Sequence, residues 1–276
     1  LKNNLSAYTG LETQDYNMDL SEQIKSQARE LGAVEVGICT PLTLPHNTAS
    51  LERMLPKCRS VVCIIFPHSE TALASSDVYL KQYDTVFCYN EVARVSHYLV
   101  HYLEAGGYQA VAIPAFIPLD MGDGKMGMVG AIDWKQAAVE SGLANWGKSG
   151  LVVNPRFGPR IRLGGVVTTA KLKPDEKREF SPCGNCQVCI DSCPASALLE
   201  NGQIDKKRCG EYIFPYGLRG FTRLLVDVAT AKDKANAKES VYNYRTREIW
   251  QSFQSGNYYY CWTCQSCCPV GKQPLR

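Results

Sequence analysis

The sequence predicts an α+β chain in which a mixed α/β domain, residues 18–175, is followed by a smaller cysteine-rich domain, residues 176–276. Three observations carry this. From Met18 to about Ala170, helix-like stretches alternate with short apolar runs. Residues 171–181 (KLKPDEKREFS) are charged and contain a proline, as linkers do. Nine of the 13 cysteines lie from Cys183 onward, mostly in tight C-x-x-C runs.

The elements follow in order. Residues 1–17 (LKNNLSAYTGLETQDYN) are polar and lack the apolar centre of an export signal, so they read as a flexible arm, a processed end or a remnant of cloning. Ile24–Leu31 is an amphipathic helix with Ser21 or Asp19 as its cap. Strands are expected at Ser60–Phe66, Ala110–Ile113, Met126–Ile132, Leu151–Val153 and Gly164–Thr169. Asn90–Ala105 sets Val92, Val95, Leu99 and Leu103 on one helical face, Gly106-Gly107 ends it, and a strand follows at Tyr108. Within an insertion spanning 210–260, two helices are expected, Gly220–Ala231 and Ala237–Phe253.

Composition excludes some functions. Lys and Arg number 30 against 27 Asp and Glu, a formal charge of +3, and no basic tract is present to follow a phosphate backbone. No direct nucleic-acid partner is expected. The longest apolar run, Ser60–Pro67, is far short of the roughly 20 residues that cross a bilayer. No membrane span is expected either.

Cys183-Gly-Asn-Cys186-Gln-Val-Cys189-Ile-Asp-Ser-Cys193-Pro194 fits C-x2-C-x2-C-x3-C-P, the bacterial ferredoxin spacing. Three thiolates two residues apart wrap one 4Fe-4S cluster, and the fourth cysteine passes to a second cluster. Structural zinc needs two pairs and leaves the C-x3-C-P ending unexplained. The second run, Cys261-Trp-Thr-Cys264-Gln-Ser-Cys267-Cys268-Pro269, departs from the repeat, and Cys209 stands alone between the two runs. The spacing assigns Cys183, Cys186, Cys189 and Cys268 to one cluster and Cys193, Cys209, Cys261 and Cys264 to the other. Cys267 is left over, with its exchange for Cys268 or Cys209 as the alternative. The second domain is thus expected to be ferredoxin-like with two 4Fe-4S clusters roughly a dozen ångströms apart. Reduced thiols imply the cytoplasm, or export after cluster loading if a signal was removed.

The four earlier cysteines, Cys39, Cys58, Cys63 and Cys88, have no ligand spacing and read as small core residues. His97 and His101 lie one helical turn apart, without a third ligand in view.

Residues 141–163 (SGLANWGKSGLVVNPRFGPRIRL), followed by the cysteine domain, resemble the core signature of the cobalamin-dependent reductive dehalogenases and epoxyqueuosine reductases. The context of Cys209 and the Cys-Cys-Pro ending resemble the epoxyqueuosine reductases, whereas FGPRIRL is closer to the dehalogenases. The resemblance covers about residues 60–276. It implies a nitroreductase-like first domain and a corrinoid held between the two domains, fed by the nearer cluster. It marks Gly142, Leu143, Asn145, Gly147, Lys148, Gly150, Phe157, Gly158, Arg160 and Arg162 as cofactor contacts. A plain helix-to-strand turn, with arginines paired to acidic neighbours, is the alternative.

Two departures bear on the branch. Gly142-Leu-Ala144-Asn145 lacks a glycine and an acidic residue common in the family loop, and the position of the epoxyqueuosine reductases' aspartate falls on Met128, between Asp123 and Asp133. This disfavours dedicated epoxyqueuosine reduction. In the dehalogenase branch a tyrosine donates a proton beside a cation, and Tyr89 and Lys148 fall at those positions; a buried tyrosine and a surface lysine are the plain alternatives.

The sequence therefore points to an iron–sulfur oxidoreductase passing low-potential electrons from a ferredoxin- or flavodoxin-type donor through two clusters to a corrinoid. One alternative is an electron-transfer protein that reactivates the corrinoid of a partner such as a methyltransferase, a reading favoured by the few residues after Cys268. Another is a non-catalytic redox sensor or cluster carrier.

Overall fold

The computed structural model describes residues 19–113, 130–199, 203–256 and 259–272. Its centre is a four-stranded antiparallel sheet of β1 (Glu35–Cys39), β2 (Ser60–Pro67), β3 (Ala110–Ile113) and β6 (Ile161–Thr168), in the order β1-β2-β6-β3. β2 reads SVVCIIFP because helices cover both of its faces. Alternation then divides its side chains. Val61, Cys63 and Ile65 pack toward α2 (Thr48–Met54) and α5 (Trp134–Glu140). Val62, Ile64 and Phe66 pack toward α1 (Leu20–Glu30) and α4 (Val78–Ala105). Gly165 has φ 153°, and a Cβ there would stand 1.8 Å from the Val62 carbonyl oxygen, so the central pairing of β6 with β2 requires glycine.

Several boundaries differ from expectation, each for a local reason. α4 is 28 residues long and begins at Val78, where Asp77 accepts the Tyr79 amide at its N-cap. Its first half carries Leu80, Tyr83 and Phe87 outward, which hides the helical pattern from sequence. Tyr89 therefore lies inside the helix. Asp19 occupies the N-cap of α1 without a side-chain bond, and the buried Ser21 hydroxyl instead accepts the Lys173 amide at 2.7 Å. The expected helix 237–253 is two, α9 (Lys234–Val241) and α10 (Tyr244–Ser255), with Asn243 capping the second through the Thr246 amide. The strand expected over 126–132 falls mostly outside the described residues, as do Asp123 and Met128, and residues 130–132 lie in no strand. The strand expected at 151–153 is β5 (Val152–Val153), paired with β4 (Asn145–Trp146).

The segment 171–181 has no regular structure but is firmly held. The Asp175 amide donates to the Ile38 carbonyl at 2.9 Å, its carboxylate accepts the Ile38 amide at 2.8 Å, and Lys25 reaches the same carboxylate at 2.5 Å. The chain thus runs alongside β1 before entering the cysteine-rich part. That part is built from α6 (Val188–Asp191), α7 (Lys206–Ile213), α8 (Gly217–Ala229), α9, α10 and α11 (Thr263–Ser266). Cys39, Cys63 and Cys88 are buried in the α/β part and Cys58 is half-buried. No described helix is long and apolar enough to cross a membrane.

Candidate cysteine-rich redox site

Three segments bring cysteines together. Cys189 lies on α6, with Cys183, Cys186 and Cys193 around it; Cys209 is on α7; Cys264 is on α11, with Cys261, Cys267 and Cys268 beside it. None forms a disulfide. Cys183, Cys186, Cys189, Cys264 and Cys268 line one cavity with Ser149, Val153 and Pro269. Cys209 lies within electrostatic reach of Cys261 and Cys193. Cys264 faces Cys261 and Cys209 but also Cys267 and Cys189, so it stands between the two groups. Cys267 borders Ser192 and Cys268.

The donor chemistry fits iron–sulfur clusters. Burial, then neighbouring sulfurs, pushes the Cys264 thiol up to about 12 and the Cys189 thiol up to about 11. A bound cation reverses that preference and holds thiolates. Backbone amides already point at sulfur: Lys148 N–H to Cys183 Sγ and Ala197 N–H to Cys193 Sγ, both at 3.4 Å. Such second-layer donors orient and stabilise cluster thiolates.

The positions marked for a corrinoid are engaged by the chain itself. A Cβ on Gly142 would stand 2.4 Å from the Glu176 carbonyl, on Gly147 2.7 Å from Val153, on Gly150 1.9 Å from Ile204 and on Gly158 2.2 Å from the Val270 carbonyl. These glycines let segments of this chain approach each other, and no cradle for a flat macrocycle shows at them among the described residues. Leu143 is in the core, and Asn145 donates to the Arg178 and Phe180 carbonyls at 2.9 Å. Phe157 packs at the core edge with the Arg156 guanidinium over its ring. Arg160, only 3% exposed, donates to the Gln265, Cys268 and Val270 carbonyls at 3.3, 2.9 and 2.7 Å. It clamps the segment that carries Cys268.

The tyrosine and the lysine expected to act together have separate partners. Lys148 Nζ donates to the Cys186 carbonyl at 3.0 Å. The cation against Tyr89 is Arg162, whose guanidinium lies 5.3 Å from the Tyr89 ring and 5.6 Å from that of Tyr259. Beside them sit three residues that sequence reasoning missed as a group: His68, Asp84 and Cys88, with ligand atoms within 4.8 Å of one another. Asp84 and Cys88 are one turn apart on α4, and His68 follows β2, so no sequence spacing announces the cluster. His68 Nδ1 bonds to Asp84, the Cys88 thiol, raised to about 12 mainly by burial, donates to the Pro67 carbonyl at 3.4 Å, and His68 Nε2 is buried without a hydrogen-bond partner. His97 and His101 face each other at 3.1 Å on the exposed side of α4, with Glu104 3.6 Å from His101.

The cysteine-rich segment is seated on the sheet domain by polar contacts. Trp262 Nε1 donates to the Thr85 hydroxyl at 3.1 Å, Gln265 to the Pro159 carbonyl at 2.9 Å and Gln82 to the Tyr259 carbonyl at 3.1 Å. The mixed α/β domain thus meets, at one end, a set of cysteines with ferredoxin spacing.

No family model matches the chain. It is 33% identical over 84 residues to an epoxyqueuosine reductase of Staphylococcus aureus, covering 30% of this chain and 22% of that protein. Against a tetrachloroethene reductive dehalogenase of Desulfitobacterium hafniense it is 24% identical over 180 residues, 56% of this chain and 30% of that one. Among solved structures, an epoxyqueuosine reductase with a tRNA stem loop superposes with TM-score 0.54 at 17% identity, over 91% of this chain and 65% of that one. A reductive dehalogenase described for B12-dependent dehalogenation superposes with TM-score 0.54 at 16% identity, over 86% and 36%. The structural likeness shows the fold, and the matched stretches span less than a third of the curated relatives' length. Over these stretches in sequence, and in fold, the chain is similar to both the epoxyqueuosine reductases and the reductive dehalogenases. Because one protein of this fold holds a tRNA stem loop, a small net charge does not exclude nucleic acid as a partner.

Proposed function

We propose that this chain is an iron–sulfur oxidoreductase. Cys183, Cys186, Cys189 and Cys268 would hold one 4Fe-4S cluster and Cys193, Cys209, Cys261 and Cys264 a second, and the pair would supply one-electron chemistry between a low-potential ferredoxin- or flavodoxin-type donor and a corrinoid. The observation that carries the reading is the convergence of unpaired cysteines from three segments on one end of the sheet domain, with backbone amides aimed at two of the sulfurs. The clusters supply one-electron transfer. The chain's own residues do the rest: the Lys148 and Ala197 amides hold sulfur, Arg160 fixes the backbone at Cys268, and Tyr89 presents a hydroxyl proton with the Arg162 guanidinium against its ring.

The corrinoid part is supported by the B12-dependent dehalogenase of similar fold. One observation favours a second reading, in which the corrinoid belongs to a partner protein: the glycines marked for corrinoid contact already meet this chain's own atoms. Anaerobic purification and iron analysis test the core claim, with about eight iron atoms per chain expected. Four or fewer would defeat the two-cluster assignment. Cob(II)alamin, added free and then on a carrier protein, separates the two readings by which form takes electrons from the reduced clusters.

A further inference from the structure

Asp84 and Cys88 stand one turn apart on the same face of α4, and the end of β2 sets His68 against that face. The three offer a nitrogen, a carboxylate oxygen and a sulfur, all within 4.8 Å of one another. His68 Nδ1 is the atom in the middle, since it bonds to Asp84 and lies 3.9 Å from Cys88 Sγ. None of the three is among the cysteines of the redox site.

Metal geometry decides whether that spacing is useful. A tetrahedral zinc ion holds nitrogen at about 2.1 Å and sulfur at about 2.3 Å, which sets those two ligand atoms about 3.6 Å apart. The 3.9 Å between Nδ1 and Sγ is close to that distance. The ligands are also held in place from behind. The second oxygen of Asp84 accepts the Ser69 amide at 3.0 Å, so the carboxylate presents one oxygen to His68. The His68 amide donates to the Arg160 carbonyl at 2.9 Å, which ties its backbone to the strand β6. Outer contacts of this kind orient metal ligands. His68 and Cys88 are buried, whereas the Asp84 side chain is 15% exposed and gives an ion its way in.

Charge and hydrogen positions restrict the ion. Arg162 bears on both His68 and Cys88, and Asp84 and Glu91 bear on Cys88. A divalent ion is cancelled by the Asp84 carboxylate and a Cys88 thiolate, so the guanidinium faces a centre without excess positive charge. A carboxylate can only accept, so Nδ1 carries the ring hydrogen while it bonds to Asp84. Nε2 meets no hydrogen-bond partner, and moving the hydrogen there gives up no bond. Sulfur with imidazole favours zinc over magnesium or calcium, which prefer oxygen.

We propose that His68 Nδ1, one oxygen of Asp84 and Cys88 Sγ form a zinc site separate from the cysteine-rich one. As the ion binds, the Cys88 thiol hydrogen leaves to solvent, the His68 ring hydrogen passes from Nδ1 to Nε2, and the three ligand bonds form. Three protein ligands leave the fourth tetrahedral position to water. The site uses no cluster cysteine and stands apart from the oxidoreductase reading.

Crystals of the anaerobically purified, cluster-loaded chain grown with one equivalent of zinc ions test it by anomalous scattering at the zinc edge. A peak bonded to Nδ1, the Asp84 oxygen and Sγ is expected. Its absence overturns the proposal, as does zinc found only on the exposed pair His97 and His101 or among the cluster cysteines. Calorimetric titration with zinc ions should find one equivalent that Cys88→Ala and Asp84→Asn each weaken at least about tenfold, as loss of a metal-orienting group does. Unchanged affinity in a folded Cys88→Ala variant overturns the proposal too. The anomalous map of the parent chain decides by itself if a variant fails to fold.

Discussion

Arg160 is the residue on which the geometry of the candidate site most depends. The resemblance marks it, with Arg162, as a cofactor contact, with pairing to acidic neighbours as the alternative. The structure gives Arg160 the Glu70 carboxylate at 3.7 Å, as the alternative has it, and also three carbonyl oxygens from residues 105 to 110 positions further on. No local pattern can announce partners so distant, which is why the residue is legible as special and its role is not. Replacing it by methionine keeps the volume and removes every donor, leaving carbonyls unpaired around a buried side chain. Arg160→Met is expected to lose about 2–4 kcal/mol of stability. Denaturant melts measure the loss, and iron content should fall with it because the Cys268 backbone loses its clamp. Gly158→Ala should act in the same direction, since Gly158 has φ 61° and faces the Val270 carbonyl.

At the scale of elements, α10 is fastened to α4 by a buried carboxylate. Glu248, 3% exposed, accepts hydrogen bonds from Tyr79 of α4 and, at 2.8 Å, from Tyr260. Burial alone would raise its carboxyl, but the hydroxyls of Tyr79, Tyr244 and Tyr260 outweigh burial and lower it from the usual 4.5. The unfolded chain therefore takes up this proton first as acid is added. The contribution of Glu248 is complete above pH 4.5 and is lost as pH falls through the lower value of the folded state. Thermal melts followed by circular dichroism should show a shallower acid-side decline in Glu248→Gln than in the parent. Tyr79→Phe should speed amide exchange across residues 244–255 while leaving the sheet unchanged. The fastening was hidden in sequence because the early turns of α4 expose Leu80, Tyr83 and Phe87, so only Asn90 onward shows a helical face.

For the whole molecule, the charged segment 171–181 lacks regular structure and leads into the cysteine-rich part, and the run Cys183, Cys186, Cys189 and Cys193 is legible because its spacing is local, whereas the later cysteines that join it are distant in sequence. Independence of the two parts does not follow from either. Lys25 and Ile38 bind Asp175 within the charged segment, and Thr85, Pro159 and Arg160 receive the cysteine-rich part. The His68–Asp84 pair is illegible for the opposite reason: a strand end and a helix turn meet only through the packing of α4 on β2. Removal of iron by a chelator is expected to loosen both parts together. Hydrogen exchange should rise at residues 78–89 and 157–162 as well as near the cysteines, and the melting temperature should fall in a single transition.

Ribosomal synthesis proceeds in one direction, and this gives the Arg160 clamp a meaning in time. β6 emerges when β1, β2 and β3 are already available, so the sheet can close with Arg160 facing the Glu70 carboxylate at 3.7 Å but without its carbonyl partners. The carbonyls that satisfy the guanidinium arrive only after a further 105 residues have been made. Until then the end of the sheet that receives the cysteine-rich part stays uncovered. The hydrogen bonds that seal the finished protein therefore become available late in synthesis, together with Cys261, Cys264 and Cys268.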